Sequence, residues 1–223
     1  MQTKTLAEVA VWNRTNSETT NFPVWKRLFD IVFSSFALVI TAPVMIIIAL
    51  TILITDGAPI TFKQDRIGKN GELFSIIKFR SMCKNATEIL QKNPEIYKKY
   101  IENNYKLPEG EDPRITKVGM FLRKVSFDEL PQFWNVLKGD MSVVGPRPIV
   151  KTELEEYGTH KQSFLVMKPG MTGIWQVGGR SDIGYPERVN IELSYIQKQG
   201  LLFDMEIVLQ TIYSMIFKRT GAY

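Results

Sequence analysis

The stretch Ile31–Thr55, IVFSSFALVITAPVMIIIALTILIT, decides how the rest of this chain is read. It runs for 25 residues without a charge. Apolar runs of eighteen or more residues mark membrane segments, whereas shorter ones belong to buried core helices. Pro43 sits at its centre. Proline removes a backbone donor and clashes with the carbonyl four residues back, so a kink or break is expected there. Each half would be roughly 18 Å of helix, short of a hydrocarbon core of about 30 Å. Basic residues flank both ends, Lys26 and Arg27 before and Lys63, Arg66 and Lys69 after. Lys and Arg collect on the cytoplasmic side, so a re-entrant hairpin satisfies both flanks and a single crossing only one. The charge rule favours re-entry, with a kinked span as the alternative. A hydroxyl of Ser35 or Thr41 could meet a carbonyl freed at the break.

Working outward, residues 1–22 are polar and read as a mobile tail. They are not a signal peptide, because the apolar run comes too late and no cleavage site follows it. The membrane unit covers 23–59, and 60–223 is read as one cytosolic domain with a core of its own. The whole chain has 223 residues, Lys+Arg 28 against Asp+Glu 23, a net charge of +5, one cysteine and one histidine. Cys83 alone rules out an internal disulfide or a multi-cysteine zinc site, and His160 alone rules out a His-rich metal site. Chemistry is left to carboxylates, Lys, Tyr, Ser or the single thiol. A lone thiol suits a reducing compartment.

Ile60–Gln64 and Leu73–Phe79 read as a β-hairpin around Asn70-Gly71. A helix is expected over 86–106, with Ile89, Ile96, Tyr97, Tyr100 and Ile101 as its apolar stripe. Pro108, Gly110 and Pro113 mark a loop. A short helix and a second one starting at Ser126 are expected over 115–139. Further helices are expected around 150–158, 187–198 and from Phe203 to Arg219, with 168–186 irregular. The last helix carries Ile207, Val208, Ile212, Met215, Ile216 and Phe217 on one face, which suits either a core or a membrane interface.

The excess charge is local. Residues 60–84 carry about +4 and 112–151 about +3, offset elsewhere. Nucleic acid is set aside as a partner, since no helix-turn-helix, finger or stacking pattern accompanies the charge. Anionic headgroups and phosphorylated substrates fit a basic patch beside a membrane anchor.

The densest segment is Arg123–Pro148, RKVSFDELPQFWNVLKGDMSVVGPRP. Ser126 and Glu129 have capping-box spacing, which offers a purely structural role for both. Asp128 suits the first turn of a helix. Neighbouring residues on a helix differ by about 100°, so Asp128 and Glu129 would act differently rather than as a symmetric pair. The nearby Arg123, Lys124, Lys138 and Arg147 are expected to keep a carboxylate ionised, as a nucleophile or an Mg²⁺ ligand. Gly145-Pro146-Arg147-Pro148 holds an arginine in a stiff loop, ready for phosphate or simply facing solvent.

Together these residues resemble the bacterial sugar transferase family, the monotopic polyprenyl-phosphate phosphoglycosyl transferases. The matching pieces are WKRLFDIV before the proline-centred run, FKQDRIGKNGELFSIIKFRSM, DPRITKVGMFLRKVSFDELPQFWNVLKGDMSVVGPRP, KPGMTGIWQVGGRSD and FKRTGAY. They extend over about residues 24–223. The resemblance implies an α-rich α+β fold. Its parts are a re-entrant membrane helix broken at Pro43, a small β-hairpin, and amphipathic interfacial helices around a compact cytosolic core. It also implies transfer of a sugar-1-phosphate from a UDP-sugar to undecaprenyl phosphate, releasing UMP, with Mg²⁺, at the cytosolic face of the bacterial inner membrane. The family reaction is ping-pong and starts exopolysaccharide, capsule or O-antigen repeat units.

By that resemblance Asp128 is the nucleophile and Glu129 its dyad partner, assisting through Mg²⁺ held by the two carboxylates or through proton handling. Arg123 and Arg147 hold phosphate or nucleotide, and Lys78 and Arg80 stand near the site. Ala42 departs from the family pattern, in which serine often precedes the proline. The insert before Asp112 and the GAY ending are similar to the galactose or glucose branch, in a short form without further spans. A homodimer is compatible with this reading. The rivals are a catalytically silent membrane scaffold of the same fold and a binding module driven by basic charge alone.

Overall fold

The structure, a computed structural model, describes residues 23–103, 107–108, 110–179 and 183–218. The polar tail 1–22 and Arg219 lie outside the described residues. The first element is a long helix, α1, Val24–Asp56. A hairpin follows, β1 Thr61–Ile67 and β2 Leu73–Phe79, then α2 Ala86–Gln91 and α3 Pro94–Glu102. Next come α4 Lys117–Lys124, a 3₁₀ turn Phe127–Glu129, α5 Gln132–Lys138 and β3 Ser142–Val144. A 3₁₀ segment Glu153–His160, α6 Lys161–Leu165, β4 Gly170–Thr172 and α7 Ile174–Gly178 lead to α8 Glu187–Lys198 and α9 Leu201–Tyr213. A π-helical turn, Ser214–Lys218, extends α9.

The backbone stays helical through Pro43, so α1 is one 33-residue helix rather than two separated by a gap. Thr41 does not serve the carbonyl that Pro43 frees, which is that of Val39; its hydroxyl donates to the Ala37 carbonyl at 2.7 Å. The middle of α1 is bare, with Phe36, Val39 and Ile47 exposed. Its two ends are not. Near the start, Arg27 donates to the carbonyls of Val136 and Leu137 at 2.7 and 2.6 Å, at the end of α5. Lys26 pairs with Asp204 and bonds the Tyr195 hydroxyl at 2.8 Å. Asp30 accepts from Ser142 Oγ and the Val143 N–H, both at 2.9 Å. Near the other end, Ile48 and Ile52 join Phe79 and Leu122 in a buried cluster. Full burial of one such side chain is worth about 1.5–3 kcal/mol. Lys26 and Arg27 are thus engaged in tertiary bonds as well as carrying flank charge.

The main core gathers Ile76, Val136, Met141, Val143, Val144 and Ile207 beneath the start of α1. The hairpin pairs Thr61 with Phe79 through Ile67 with Leu73. Its connection spans five residues, with Asn70 and Gly71 both in the left-handed region. The expected 86–106 helix is split at Asn93-Pro94, where the Asn93 side chain caps Ile96. Of its expected stripe, Tyr97 and Ile101 are exposed and Ile89, Ile96 and Tyr100 half-buried, while Leu90 is the buried residue there. In α9, Asp204, Ile207 and Val208 are buried while Leu202 and Leu209 are exposed, so the helix serves the core on one side and offers apolar surface on the other.

Candidate active site

The packing of α4 places the first functional residues. Thr116 caps α4 by accepting from the Gly119 N–H at 2.9 Å. A Cβ on Gly119 would lie 2.0 Å from the Ser81 carbonyl oxygen, so only glycine lets α4 press against the segment after β2. That contact brings Arg123 Nε to 2.9 Å from Ser81 Oγ. The chain then reverses at Ser126, which adopts φ 57°. A left-handed conformation costs a non-glycine residue on the order of 1 kcal/mol or more and concentrates at functional sites.

The expected capping box does not form. The Ser126 side chain makes no cap hydrogen bond, and a 3₁₀ turn stands where a helix was expected. The Glu129 carboxylate instead receives Lys78 Nζ at 2.6 Å. Asp128 turns inward and is 6% exposed. Its Oδ1 has no hydrogen-bond partner among the described residues. The two carboxylates therefore sit in different surroundings, as their adjacency required.

Burial pushes the Asp128 carboxyl above the usual carboxylate range, and the Glu129 charge adds to this, while Lys78 and Arg123 pull it down. The cations were expected to dominate; desolvation outweighs them. An orphaned, desolvated carboxylate oxygen is costly to keep and is a mark of a reactive site.

Arg147 reaches the same region by another route. β3 and β4 pair in parallel, Ser142 with Gly170 and Val144 with Thr172. A Cβ on Gly170 would lie 2.1 Å from the Gly145 nitrogen, and one on Gly173 2.1 Å from its oxygen. The glycines of GPRP and KPGMTG thus let two backbones meet. Arg147 extends from this junction, its guanidinium 5.6 Å from the Trp175 ring centre. Its N–H donates to Glu192 Oε1 at 3.2 Å. Buried Glu192 also accepts from Arg188 Nε at 3.1 Å and from the Tyr157 hydroxyl. Arg188 lies over the same indole at 4.4 Å.

The structure therefore brings Asp128, Glu129, Lys78 and Arg123 together, with Arg147 nearby. Arg80 donates through Nη2 to the carbonyls of Asp56 and Gly57 at 2.9 and 2.6 Å, at the end of α1, while its buried Nε and Nη1 have no hydrogen-bond partner among the described residues. Arg66, counted in the sequence as flank charge, is half-buried and donates to Gln64 Oε1 at 2.7 Å. Burial lowers its guanidinium, Glu153 raises it and Arg147 lowers it again, with Glu129 and Arg188 also in its field. Sequence reasoning missed Glu192 behind Arg147, for which a glutamate in an amphipathic helix gives no signal.

A cavity of about 220 Å³ opens beside the dyad. Ser126, Glu129, Arg147 and Gln176 form its polar side, and Phe33, Phe133, Met171, Trp175, Val208 and Ile212 are among its apolar walls. Asp128 lies one residue behind Glu129.

Mg²⁺ is implied by the family resemblance, and the residues present fit it. It takes one or two carboxylates and completes its shell with water and substrate phosphates, and here an orphaned Asp128 oxygen stands next to Glu129. No cluster of three or more metal-ligating His, Cys, Asp or Glu occurs among the described residues. The site thus offers a carboxylate pair rather than a closed cage.

Comparison with known proteins gives consistent matches. The bacterial sugar transferase model matches residues 21–218. The chain is 46% identical over 201 residues to an undecaprenyl-phosphate galactose phosphotransferase of Salmonella typhimurium, over 89% of this chain and 41% of that protein. It is 41% identical over 202 residues to the exopolysaccharide production protein ExoY of Sinorhizobium fredii, over 89% of this chain and 88% of that one. It is 37% identical over 196 residues to a UDP-glucose:undecaprenyl-phosphate glucose-1-phosphate transferase of Escherichia coli, over 84% of this chain and 39% of that protein. The chain thus spans about two fifths of the Salmonella and Escherichia relatives and most of the Sinorhizobium one. With everything from α1 through α9 inside the matched region, the chain belongs to the bacterial sugar transferase family.

Proposed function

We propose that this chain is a phosphoglycosyl transferase. It moves hexose-1-phosphate, galactose or glucose, from a UDP-sugar to undecaprenyl phosphate and so starts a polysaccharide repeat unit. The names of the Salmonella and Escherichia relatives support the acceptor and the hexose class. The observation that carries the mechanism is the buried Asp128 oxygen without a partner, set beside the Glu129–Lys78 pair.

An oxygen of Asp128 attacks the β-phosphorus of the donor. The bond from that phosphorus to the bridging oxygen breaks, and its electron pair leaves with UMP. A phosphate oxygen of the lipid then attacks the same phosphorus, and the Asp128 carboxylate departs unchanged. The covalent stage lets UMP leave before the lipid reacts. Lys78 and Arg123 offset charge around the dyad, and Arg147 receives phosphate oxygens. Mg²⁺ bound by Asp128 and Glu129 would supply further neutralisation of phosphate charge.

In this reading α1 enters and leaves the membrane on the cytosolic face of the bacterial cytoplasmic membrane. Support comes from its two ends gripping one body, through Arg27 and Asp30 at one end and Ile52 and Gly57 at the other. A straight helix of this length would reach about 50 Å, and a single crossing would part those ends by a bilayer core of about 30 Å. Single cysteines at positions 24 and 202 in a Cys83→Ser background should label from the same side.

The transfer is tested with a panel of UDP-sugars, undecaprenyl phosphate and Mg²⁺, reading UMP release. A hexose donor should be turned over, and Asp128→Asn should abolish release while membrane association persists. Wild-type turnover in Asp128→Asn would remove the nucleophile.

A further inference from the structure

The cavity beside the dyad has two chemically distinct sides, and its apolar walls are not needed by the dyad itself. Phosphate recognition calls for Arg147 and Glu129's neighbourhood; it does not call for Phe33, Met171, Val208 or Ile212. The two threonines in the wall add little polarity. Thr172 and Thr211 hydroxyls bond each other at 2.6 Å, and Thr211 also donates to the Ile207 carbonyl at 2.7 Å. A nucleotide sugar has polar edges throughout and would leave those that face Phe33, Met171, Val208 and Ile212 unpaired, at a cost of about 1–3 kcal/mol per group.

The apolar side is continuous with the surfaces left bare by the fold. Phe33 belongs to α1, whose next turn exposes Phe36. Ile212 and Met215 are themselves partly open, and Leu209 and Phe217 beside them are 65% and 67% exposed. A path thus runs from the exposed apolar faces of α1 and α9, through the cavity, to an arginine next to the dyad. A ligand that matches this path carries an anionic phosphate at one end and an apolar chain at the other.

Resting on the transfer reaction proposed above, we infer that this cavity seats the first isoprene units of the lipid acceptor. The α1–α9 seam is its entry from the membrane, and Arg147 meets the lipid phosphate after UMP has left. Ile212 is then a residue that sets acceptor affinity without touching the donor.

The test uses a ten-carbon isoprenyl phosphate, which is soluble and so reports the cavity rather than membrane partitioning. Two reactions are followed on the same full-length preparations: exchange of labelled UMP into UDP-sugar without lipid, and UMP release with the ten-carbon acceptor. Ile212→Trp should raise the KM for the isoprenyl phosphate about tenfold by filling the wall, with the KM shift absent from UDP-sugar in the exchange. Ile212→Ala, a milder change at a half-open position, should raise the acceptor KM about threefold and serves if the tryptophan variant fails to exchange. An unchanged acceptor KM in both variants would overturn the inference. So would a shift that falls on UDP-sugar instead, which would assign the cavity to the nucleoside. Wild-type protein with neither exchange nor UMP release would overturn the transfer reaction itself, an outcome distinct from either of these.

Discussion

Replacing Glu192 by glutamine probes the scaffold behind Arg147. The carboxylate is 2% exposed and holds three donors: the Arg147 N–H, Arg188 Nε and the Tyr157 hydroxyl. An amide turns one of its two oxygens into a donor. Placed at Oε1, the new NH₂ would face two N–H groups and lose both bonds. Placed at Oε2, it faces only Tyr157, whose hydroxyl can rotate to accept. The second orientation is cheaper, and its cost is the loss of charge opposite Arg188. A hydrogen bond to a charged group is worth about 1.5–3 kcal/mol. Arg188 retains Glu153 at 3.5 Å, which limits the loss. We expect about 2 kcal/mol, or a melting temperature lower by roughly 4–8 °C in a domain of this size. Glu192→Ala leaves the buried guanidinium poorly compensated and should cost about 3–5 kcal/mol. The pair Arg188→Met with Glu192→Leu should cost less than Glu192→Ala alone, since it strands no charge. Thermal unfolding in detergent measures stability, and UMP release measures a rise in donor KM from the loosened Arg147 loop. Melting of Glu192→Gln within about 1 °C of wild type, or simple additivity in the pair, would refute this reasoning.

Other substitutions separate site from scaffold. Lys78→Met removes the cation from Glu129 and should lower kcat about a hundredfold, with partial recovery in Lys78→Arg; a loss under about threefold would contradict its role. Arg80→Met should lower stability by about 1.5–3 kcal/mol through the freed carbonyls at the end of α1, with donor KM unchanged; a KM rise without destabilisation would return Arg80 to the site. Asp112 is raised by burial but held below the usual carboxylate range overall by the bonds from Arg114. Its contribution is therefore present above the unfolded carboxylate pKa of about 3.9 and lost as pH falls through the lower folded value. Denaturant titrations should show Asp112→Asn less stable than wild type at pH 6, with the gap closing toward pH 2.

Much of this arrangement was readable in the sequence because strong local signals carried it. An uncharged run of such length admits few structures, and Asn70-Gly71 fixed the hairpin even though the connection proved longer than two residues. The Asn93-Pro94 break was also present in the sequence, as a cap followed by a proline at the first helical position, but the apolar stripe across it masked the signal. The parallel pairing of β3 and β4 was not readable, since three-residue strands have no period to detect. Their meaning lies in Gly145, Gly170 and Gly173, which permit a contact between distant segments. In the candidate site, the different surroundings of Asp128 and Glu129 follow from their adjacency, but the balance around Asp128 depends on burial, a tertiary property. The bonds from Arg80 Nη2 to the carbonyls at the end of α1 are tertiary too, and no local pattern announces them. Glu192 reaches Arg147 only through the fold.

The covalent step is tested most directly by trapping it. Protein with Mg²⁺ and a UDP-hexose, but no lipid, is acid-quenched, digested and analysed by mass spectrometry. The account predicts a hexose-phosphate adduct on the peptide containing Asp128, absent in Asp128→Asn and discharged by adding undecaprenyl phosphate before the quench. An adduct on Glu129 or elsewhere, or UMP release with lipid while no adduct forms, would contradict it.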